Sequence, residues 1–564
     1  MKKKLRAPWL KSYGWRKKHL KYPNVSMYGL LASSAKKYAD TVCYDYMGTK
    51  VDFKHFMQKV DRCARALVAH NVNKGDVVTI ISANIPEALA TIYATNKIGA
   101  VANIVHPLSS EADIQHALNL TNSRFLFVID VAFETTSKVL KDTSVEDVVL
   151  LSPRDSLFGL MRLGYDLTTG RKLGKIELKY RQYTYKEFIS RFRAVTEDVD
   201  AGCKLDDPAV VLYSGGTTGT PKGILLTNRS FNADVLQCSN ADKTITHGKI
   251  ILGILPIFHG FGLCYGFHVG LCNGLTNIMV PKFDPKTFHK LISKHRPNII
   301  LGVPALFEAM LANKKIREMD LSCIEMTICG GDTVTTKLKD EVDELVRKNG
   351  GRAEIQRGYG LTEYLAGAIF TPREHQKPGC IGVPLADVYV KIVEPNTDIE
   401  KPYDEIGEIV IYGPSTMVGY LNEPEETNKT LIKHGDGRVW LHTGDLGRMD
   451  DEGFVFFEQR LKRMIISSGY NVYPNHIEAV IGEIKEVLTV TVVGMADKYR
   501  GQVAKAFVVL REGVKGNSAM KQKIMTYCKK NLPKYSLPWE IEFRESLPKT
   551  KLNKIAYREL EKGN

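Results

Sequence analysis

At 564 residues the chain exceeds the roughly 250 to 300 residues at which a single hydrophobic core stops growing, so two or more domains are expected. An apolar content of 44% with 25% charged residues belongs to a globular chain and excludes the disordered, fibrous and collagen-like classes. The net charge of +15 bears on partners rather than on fold.

The first 22 residues, MKKKLRAPWLKSYGWRKKHLKY, carry no acidic residue and interleave their cations with Trp9, Tyr13 and Trp15. That combination suits an anionic membrane surface, where each Lys or Arg contributes about 1 kcal/mol. A solvated tail, or one packed on the domain, is the alternative. No apolar stretch follows the lysines, so a secretory leader is not expected. Without a recognisable nucleic-acid fold motif, neither is nucleic acid. Ten cysteines with no CxxC pair read as buried thiols of a reducing compartment, without zinc. The expected location is cytoplasmic, with peripheral contact at the inner membrane face as the further expectation.

From Val51 onward, helix-period stretches such as FKHFMQKVDRCARALVAHNV and PEALATIYATNKIGA alternate with the β-rich runs VVTIIS, RFLFVID and VEDVVLLS. This is the pattern of an α/β domain with a largely parallel sheet. The mixed basic stretch from about 152 to 206 reads as an inserted surface segment, helical around Tyr183 to Arg191. The α/β pattern resumes at Asp207. The weakly charged run Phe261 to Pro281, interrupted by His268, Asn273 and Asn277, reads as a buried strand and turn rather than a membrane span. Short strands with turn signals make residues from about 370 to 461 a small β-rich subdomain. A helix in PNHIEAVIGEI, strands in VLTVTVVGMAD and VAKAFVVLRE, and a helix near Met520 to Asn531 define a small α/β domain over 462–564. The expected fold is therefore α/β: a large N-terminal domain, 1–461, and a small C-terminal domain.

One stretch of the large domain is dense in glycine and hydroxyls: LYSGGTTGTPKGILLTN, Leu212 to Asn228. Ala209 to Tyr213 reads as a strand and Ser214 to Lys222 as a loop. The loop's glycines let backbone N–H groups approach an anion, its hydroxyls add donors and Lys222 adds a point charge. A Walker A loop would put a helix directly after the lysine and its hydroxyl residue. Here proline precedes Lys222 and the strand-like GILL follows. The helix begins only after Thr227 or Asn228.

Four further motifs follow in order: RGYGLTEY (Arg357 to Tyr364), WLHTGDLG (Trp440 to Gly447), QRLKRMIISSGYNVYPNHIE (Gln459 to Glu478) and LPKTKLNKIAYREL (Leu547 to Leu560). Together with the loop they resemble the adenylate-forming superfamily of acyl-CoA synthetases and firefly luciferase, most closely its fatty-acid CoA ligases. The resemblance implies ATP-dependent formation of acyl-AMP with release of pyrophosphate, then transfer of the acyl group to coenzyme A. It implies roles for named residues. Ser214, Thr217, Thr218, Gly219 and Lys222 hold phosphates. Glu363 carries Mg²⁺ and Thr362 reaches the α-phosphate. Tyr359, with Gly331 and Asp332 of CGGD, lines the adenine. Asp445 takes the ribose hydroxyls, since a carboxylate accepts two hydrogen bonds from a diol. Arg460 contacts the nucleotide, and Lys554 bridges α-phosphate and substrate carboxylate. The C-terminal domain is expected to be mobile about a hinge at Lys462, with Ser468, Gly469 and Tyr470 bordering the coenzyme A channel. Asn553 stands where the family usually has glycine before the lysine, and Gln459 where many relatives have glycine before the arginine.

In the same resemblance LPIFHGFGL, Leu255 to Leu263, surrounds the acyl pocket, with His259 at its gate. It contains no acid to pair with a substrate ammonium, which disfavours amino acids. The apolar neighbours Phe258, Phe261, Leu263 and Tyr265, with GVPALFEAM at Gly302 to Met310, suggest a medium- or long-chain fatty acid. An aryl acid as substrate, and a separate carrier protein as acceptor, are the alternatives.

Overall fold

The structure is a computed structural model that describes residues 5–167, 181–214, 220–468, 470–548 and 555–562. The chain forms two compact units. Among the described residues, the first gathers those up to 389 together with 412–433, and the second gathers 390–411 with those from 434 onward.

The first unit is built on two sheets. An eight-stranded sheet has a parallel interior, including Val77–Ile81, Val101–Val105 and Phe125–Ile129, and a margin where Pro208–Tyr213, Gly223–Thr227 and Gly419–Tyr420 pair antiparallel. Val101–Val105 and Phe125–Ile129 are buried at every position, as strands covered on both faces must be. In the nine-stranded sheet Ile250–Gly253, Ile299–Gly302, Met326–Gly330 and Ile355–Tyr359 run parallel side by side. Leu252, Ile300, Phe307, Met310, Val342 and Ile355 pack in the core beside them.

In the second unit Val439–Met449 pairs antiparallel with both Gly407–Tyr412 and Val455–Arg460. A separate sheet has Gly501–Leu510 paired antiparallel with Val487–Asp497 and parallel with Glu540–Phe543. Ile477, Ile481 and Ile524 from helices Pro474–Gly482 and Ser518–Asn531 fill its core.

Three expectations change. Tyr183 lies in strand Arg181–Thr184 at the end of the eight-stranded sheet, and the helix starts only at Tyr185–Ser190, with Phe188 fully buried. Part of the supposed surface insertion is thus sheet edge and core. Phe261–His268 is a π-helical turn followed by helix Val269–Cys272, and the buried strand is Thr276–Met279. The basic N-terminal segment is packed on its own unit: Trp9 and Tyr13 are buried, and the Tyr13 hydroxyl donates to Pro384 O at 2.7 Å. Arg16 donates to Ala241 O at 3.0 Å and pairs with Glu374 at 2.5 Å. Trp15 alone of the three aromatics is exposed.

The cysteines are unbonded, and all but Cys323 are buried. Among the described residues no helix is long and apolar enough to cross a membrane.

Candidate active site

The phosphate-loop expectation rests on a hairpin. Pro208–Tyr213 and Gly223–Thr227 pair antiparallel, and Thr227 caps helix Asn228–Ala241 by accepting from Ser230 N–H. The loop ends are tied together: Ser214 N–H donates to Lys222 O at 3.2 Å, and Lys222 N–H donates to Ser214 Oγ at 3.3 Å. Thr217, Thr218 and Gly219 lie outside the described residues, as do Gly469 and Lys554.

Lys222 is the first member of a polar chain. Its ammonium pairs with Glu426 and stands 4.8 Å from the Tyr420 ring centroid, and the Tyr420 hydroxyl donates to Glu363 Oε1 at 2.9 Å. Glu363 O also accepts from Met417 N–H at 2.9 Å. The cation proposed for phosphate and the carboxylate proposed for metal are therefore linked through one phenol. Lys222, helped by Lys429, holds the Glu426 carboxyl down at about 2. Burial, and then the Glu363 charge, push the Tyr420 phenol up, so it donates as a neutral hydroxyl. Sequence reasoning missed Tyr420 and Glu426; the available signal was one Tyr and an acidic run in GYLNEPEE, both of which also suit a turn.

Glu363 and Thr362 belong to the short turn Thr362–Tyr364, which leaves the C-terminal end of Ile355–Tyr359. Tyr359 sits at that strand end. Gly331 and Asp332 follow the neighbouring parallel strand Met326–Gly330, with Gly330 opposite Gly358. Ligands of open α/β sheets bind beyond the carboxyl ends of such strands. The turn closes at Leu365, which adopts φ +61° and ψ −65°, a sterically strained γ-turn conformation for leucine.

His259 reaches the same neighbourhood through Gly260. A Cβ at Gly260 would stand 1.8 Å from Leu365 O, so only glycine permits this approach. His259 Nδ1 accepts from Phe261 N–H at 3.2 Å, which places the proton of the neutral ring on Nε2. The Phe258 ring packs 4.1 Å from His106. Of the apolar residues expected to line a slot, Phe307 and Met310 are fully buried in the core, and Leu263 and Tyr265 are also buried.

In the second unit, Asp445 and Arg460 face each other in the ladder and form an ion pair at 3.7 Å, with Arg460 well exposed. Asp445 follows Gly444, whose φ of +67° allows the turn before it. Lys462 is exposed in the turn Leu461–Arg463, while the next residue, Arg463, is anchored to Glu478 at 2.6 Å. Ser468 adopts φ +51° and donates its N–H to Arg500 O at 2.8 Å. Tyr470 is exposed and stacks on Tyr535 with centroids 4.9 Å apart. The flagged Gln459 is fully buried, and among the described residues neither of its amide atoms has a hydrogen-bond partner.

A glycine-rich hairpin with a cation and a carboxylate joined beside it is the arrangement expected of an adenylate-forming enzyme, and the class follows from the family the chain matches. The chain belongs to the AMP-binding enzyme family, whose model matches residues 31–421; the model of the AMP-binding enzyme C-terminal domain matches 476–554. It is similar to a long-chain-fatty-acid–CoA ligase of Bacillus subtilis (strain 168), 31% identical over 98% of this chain and 97% of that protein. Another, of Salmonella typhimurium, is 30% identical over 95% of this chain and 94% of its own length. Among solved structures, ATP-bound MatB from Rhodopseudomonas palustris shares the fold, with a TM-score of 0.82, 23% identity, and coverage of 96% of this chain and 99% of that one.

Proposed function

We propose that this protein is an AMP-forming acid–thiol ligase acting on a medium- or long-chain fatty acid. The carboxylate attacks the α-phosphate of ATP, forming acyl-AMP and expelling pyrophosphate. The thiol of coenzyme A then attacks the acyl carbon, forming the thioester and expelling AMP. The observation that carries this reading is the chain Lys222–Tyr420–Glu363, in which one tyrosine joins a phosphate-seeking cation over its ring to a hard oxygen donor hydrogen-bonded to its hydroxyl. Its full-length similarity to long-chain-fatty-acid–CoA ligases supports the choice of acid and of acceptor.

Two anions must meet in the first step, so this chain's contribution is positioning and charge neutralisation. Ser214, Thr217, Thr218, Gly219 and Lys222 grip the departing phosphates. Lys554 neutralises the approaching carboxylate and α-phosphate. Tyr359, Gly331 and Asp332 flank adenine, Asp445 accepts from the ribose hydroxyls, and Arg460 contacts the nucleotide. His259 gates the acyl pocket. Glu363 suits Mg²⁺, because that ion is commonly held by one or two carboxylates plus substrate phosphates. Among the described residues no cluster of three His, Cys, Asp or Glu forms a protein cage for a metal. When bound, Mg²⁺ would neutralise phosphate charge.

For the second step the domain over 462–564 turns about Lys462, and Ser468, Gly469 and Tyr470 border the thiol channel. A peripheral contact with an anionic membrane surface, where an apolar acid partitions, rests on the exposed Arg6, Lys11, Trp15, Lys17, Lys18 and Lys21. Liposome flotation with and without residues 1–22 tests that contact.

A panel of carboxylic acids, screened for ATP–pyrophosphate exchange and then for coenzyme A thioester, tests the reaction. Lys554→Ala is expected to lower acid-dependent pyrophosphate release by about 10²- to 10³-fold, the usual loss on removing one electrostatic stabiliser, while thioester formation from supplied acyl-AMP persists. Both half-reactions unchanged would remove Lys554 from the mechanism. No stimulation by coenzyme A, together with transfer to a phosphopantetheinyl protein, would favour the carrier-loading alternative. Best turnover of benzoate-like acids would favour an aryl-acid ligase.

A further inference from the structure

We propose that Glu408 is a positioning residue for Asp445, acting through His442 and the Gly444 amide. The inference rests on the ribose role assigned to Asp445 above.

The geometry begins with a register break. Val410 pairs with His442 and Glu408 with Leu446, so Thr443, Gly444 and Asp445 stand opposite Ile409 alone. A bulge of this kind leaves the ladder locally unpaired and re-aims its side chains. Such a segment needs other fastenings, and here they come from the facing strand. Glu408 Oε1 accepts from Gly444 N–H at 3.0 Å, and Glu408 Oε2 accepts from His442 Nδ1–H at 2.8 Å. Thr443 Oγ1 donates to Ile409 O at 2.7 Å and accepts from Asp445 N–H at 3.1 Å. Residues on both sides of Gly444 are thus pinned, and the carboxylate of Asp445 is presented from a fixed turn.

Glu408 is 2% exposed, a burial that an ionised carboxylate tolerates only with good partners. It has three, since Oε2 also accepts from Asn396 N–H at 3.0 Å. The His442 donor is itself held in its tautomer. With the proton on Nδ1 facing Glu408, His442 Nε2 is an acceptor, and His434 Nε2 lies 2.9 Å from it as the donor. His434 is 3% exposed and packs its ring on Trp440 with 28° between planes. The order of donation is His434 to His442 to Glu408, and Glu408 receives the Gly444 amide. Replacing Glu408 by an amide sets an N–H either against the Gly444 N–H or against the His442 and Asn396 donors, and the bulge loses a fastening.

The test is calorimetric binding of ATP and of 3′-deoxy-ATP to the full-length protein and four variants, with thermal midpoints as the check on folding. Asp445→Asn is expected to weaken ATP by about 10- to 100-fold, the scale of a lost charged hydrogen bond, and to erase the preference over 3′-deoxy-ATP. Glu408→Gln is expected to weaken ATP by about 5- to 30-fold, toward that limit, and to lower the preference at least about 3-fold. His442→Phe follows Glu408→Gln. His442→Asn, which keeps an N–H near the Nδ1 position, retains the wild-type preference within about 2-fold. If Asp445→Asn erases the preference while folded Glu408→Gln and His442→Phe keep it, the positioning role is refuted and the ribose reading stands. If Asp445→Asn itself keeps the preference, the ribose reading fails and the inference with it. Should Glu408→Gln fail to fold, the contrast between His442→Phe and His442→Asn decides: equal behaviour of the two overturns the proposal.

Discussion

The two regions that carry the proposed ATP contacts are held in opposite ways. Around Lys222 the partners are surface groups: Glu426 is about one-third exposed, and the pair sits beside a second cation, Lys429. Around Asp445 the supports are buried: the side chains of Glu408 and His442 are 2% and 4% exposed. A surface ion pair is worth about 0 to 1 kcal/mol and exchanges readily. A buried carboxylate with three donors does not. In the proposed roles, the phosphate side can trade partners as ATP arrives and pyrophosphate leaves, whereas the ribose side is built to stay put. Grip and aim are separate physical tasks, and the molecule assigns them to different environments.

The sharpest blow to this contrast would come from Glu363→Gln. Removing the hard carboxylate is expected to lower ATP–pyrophosphate exchange by about 10²- to 10³-fold, with the unfolding midpoint unchanged. A loss below about 10-fold would detach Glu363 from the exchangeable side.

The buried side makes a prediction in pH. Desolvation, the Lys391 charge and His442 depress His434 from 6.5 to about 4, so in the folded protein it stays neutral while the unfolded chain takes up a proton as pH falls through 6.5. Stability accordingly declines between pH 6.5 and 4, by at most about 1.4 kcal/mol per pH unit for this group. Burial opposes ionisation of Glu408 but the His442 hydrogen bond and its backbone donors outweigh it and lower its folded value, so this group adds to the loss as pH falls from about 4.5, where the unfolded carboxylate takes up a proton, toward the lowered folded value. His434→Phe should flatten the decline between 6.5 and 4 in a denaturant titration at several pH values. An undiminished slope would remove His434 from the buried network.

The smallest expected effect concerns the exchangeable pair. Glu426→Gln releases Lys222 and should tighten ATP binding by no more than about 5-fold, the scale of one surface ion pair. Weaker binding would mean that Glu426 orients Lys222 rather than competing for it.

The sequence was most legible where periodicity and chemistry coincided. VLTVTVVGMAD and VWLHTGDLGRM are the strands Val487–Asp497 and Val439–Met449, and the hairpin around the glycine-rich loop follows from proline before Lys222 and GILL after it. It was least legible where long-range packing decides. Tyr183 alternates as well in a strand as in a helix, and only the neighbouring strand Asp147–Leu151 selects the former. The N-terminal aromatics suit lipid or protein equally, and Pro384 O captures the Tyr13 hydroxyl 371 positions away. Glu408 and Tyr420 are ordinary residues of short strands until the fold brings His442 and Glu363 to them.

The fit of Gly260 against Leu365 has a consequence for changing the substrate of this protein. The loop that carries His259 and the turn that carries Glu363 share one van der Waals boundary, with a strained leucine on one side and no room for a methyl group on the other. If the loop and turn carry the roles proposed above, redesign of the loop for a different acid is coupled to the turn: libraries that vary residues 256–263 without protecting Gly260 should yield mostly variants impaired in nucleotide handling, whatever their new pocket. Diversification is better placed where the main chain is free to shift, and compensating changes should be sought at Leu365 and its neighbours.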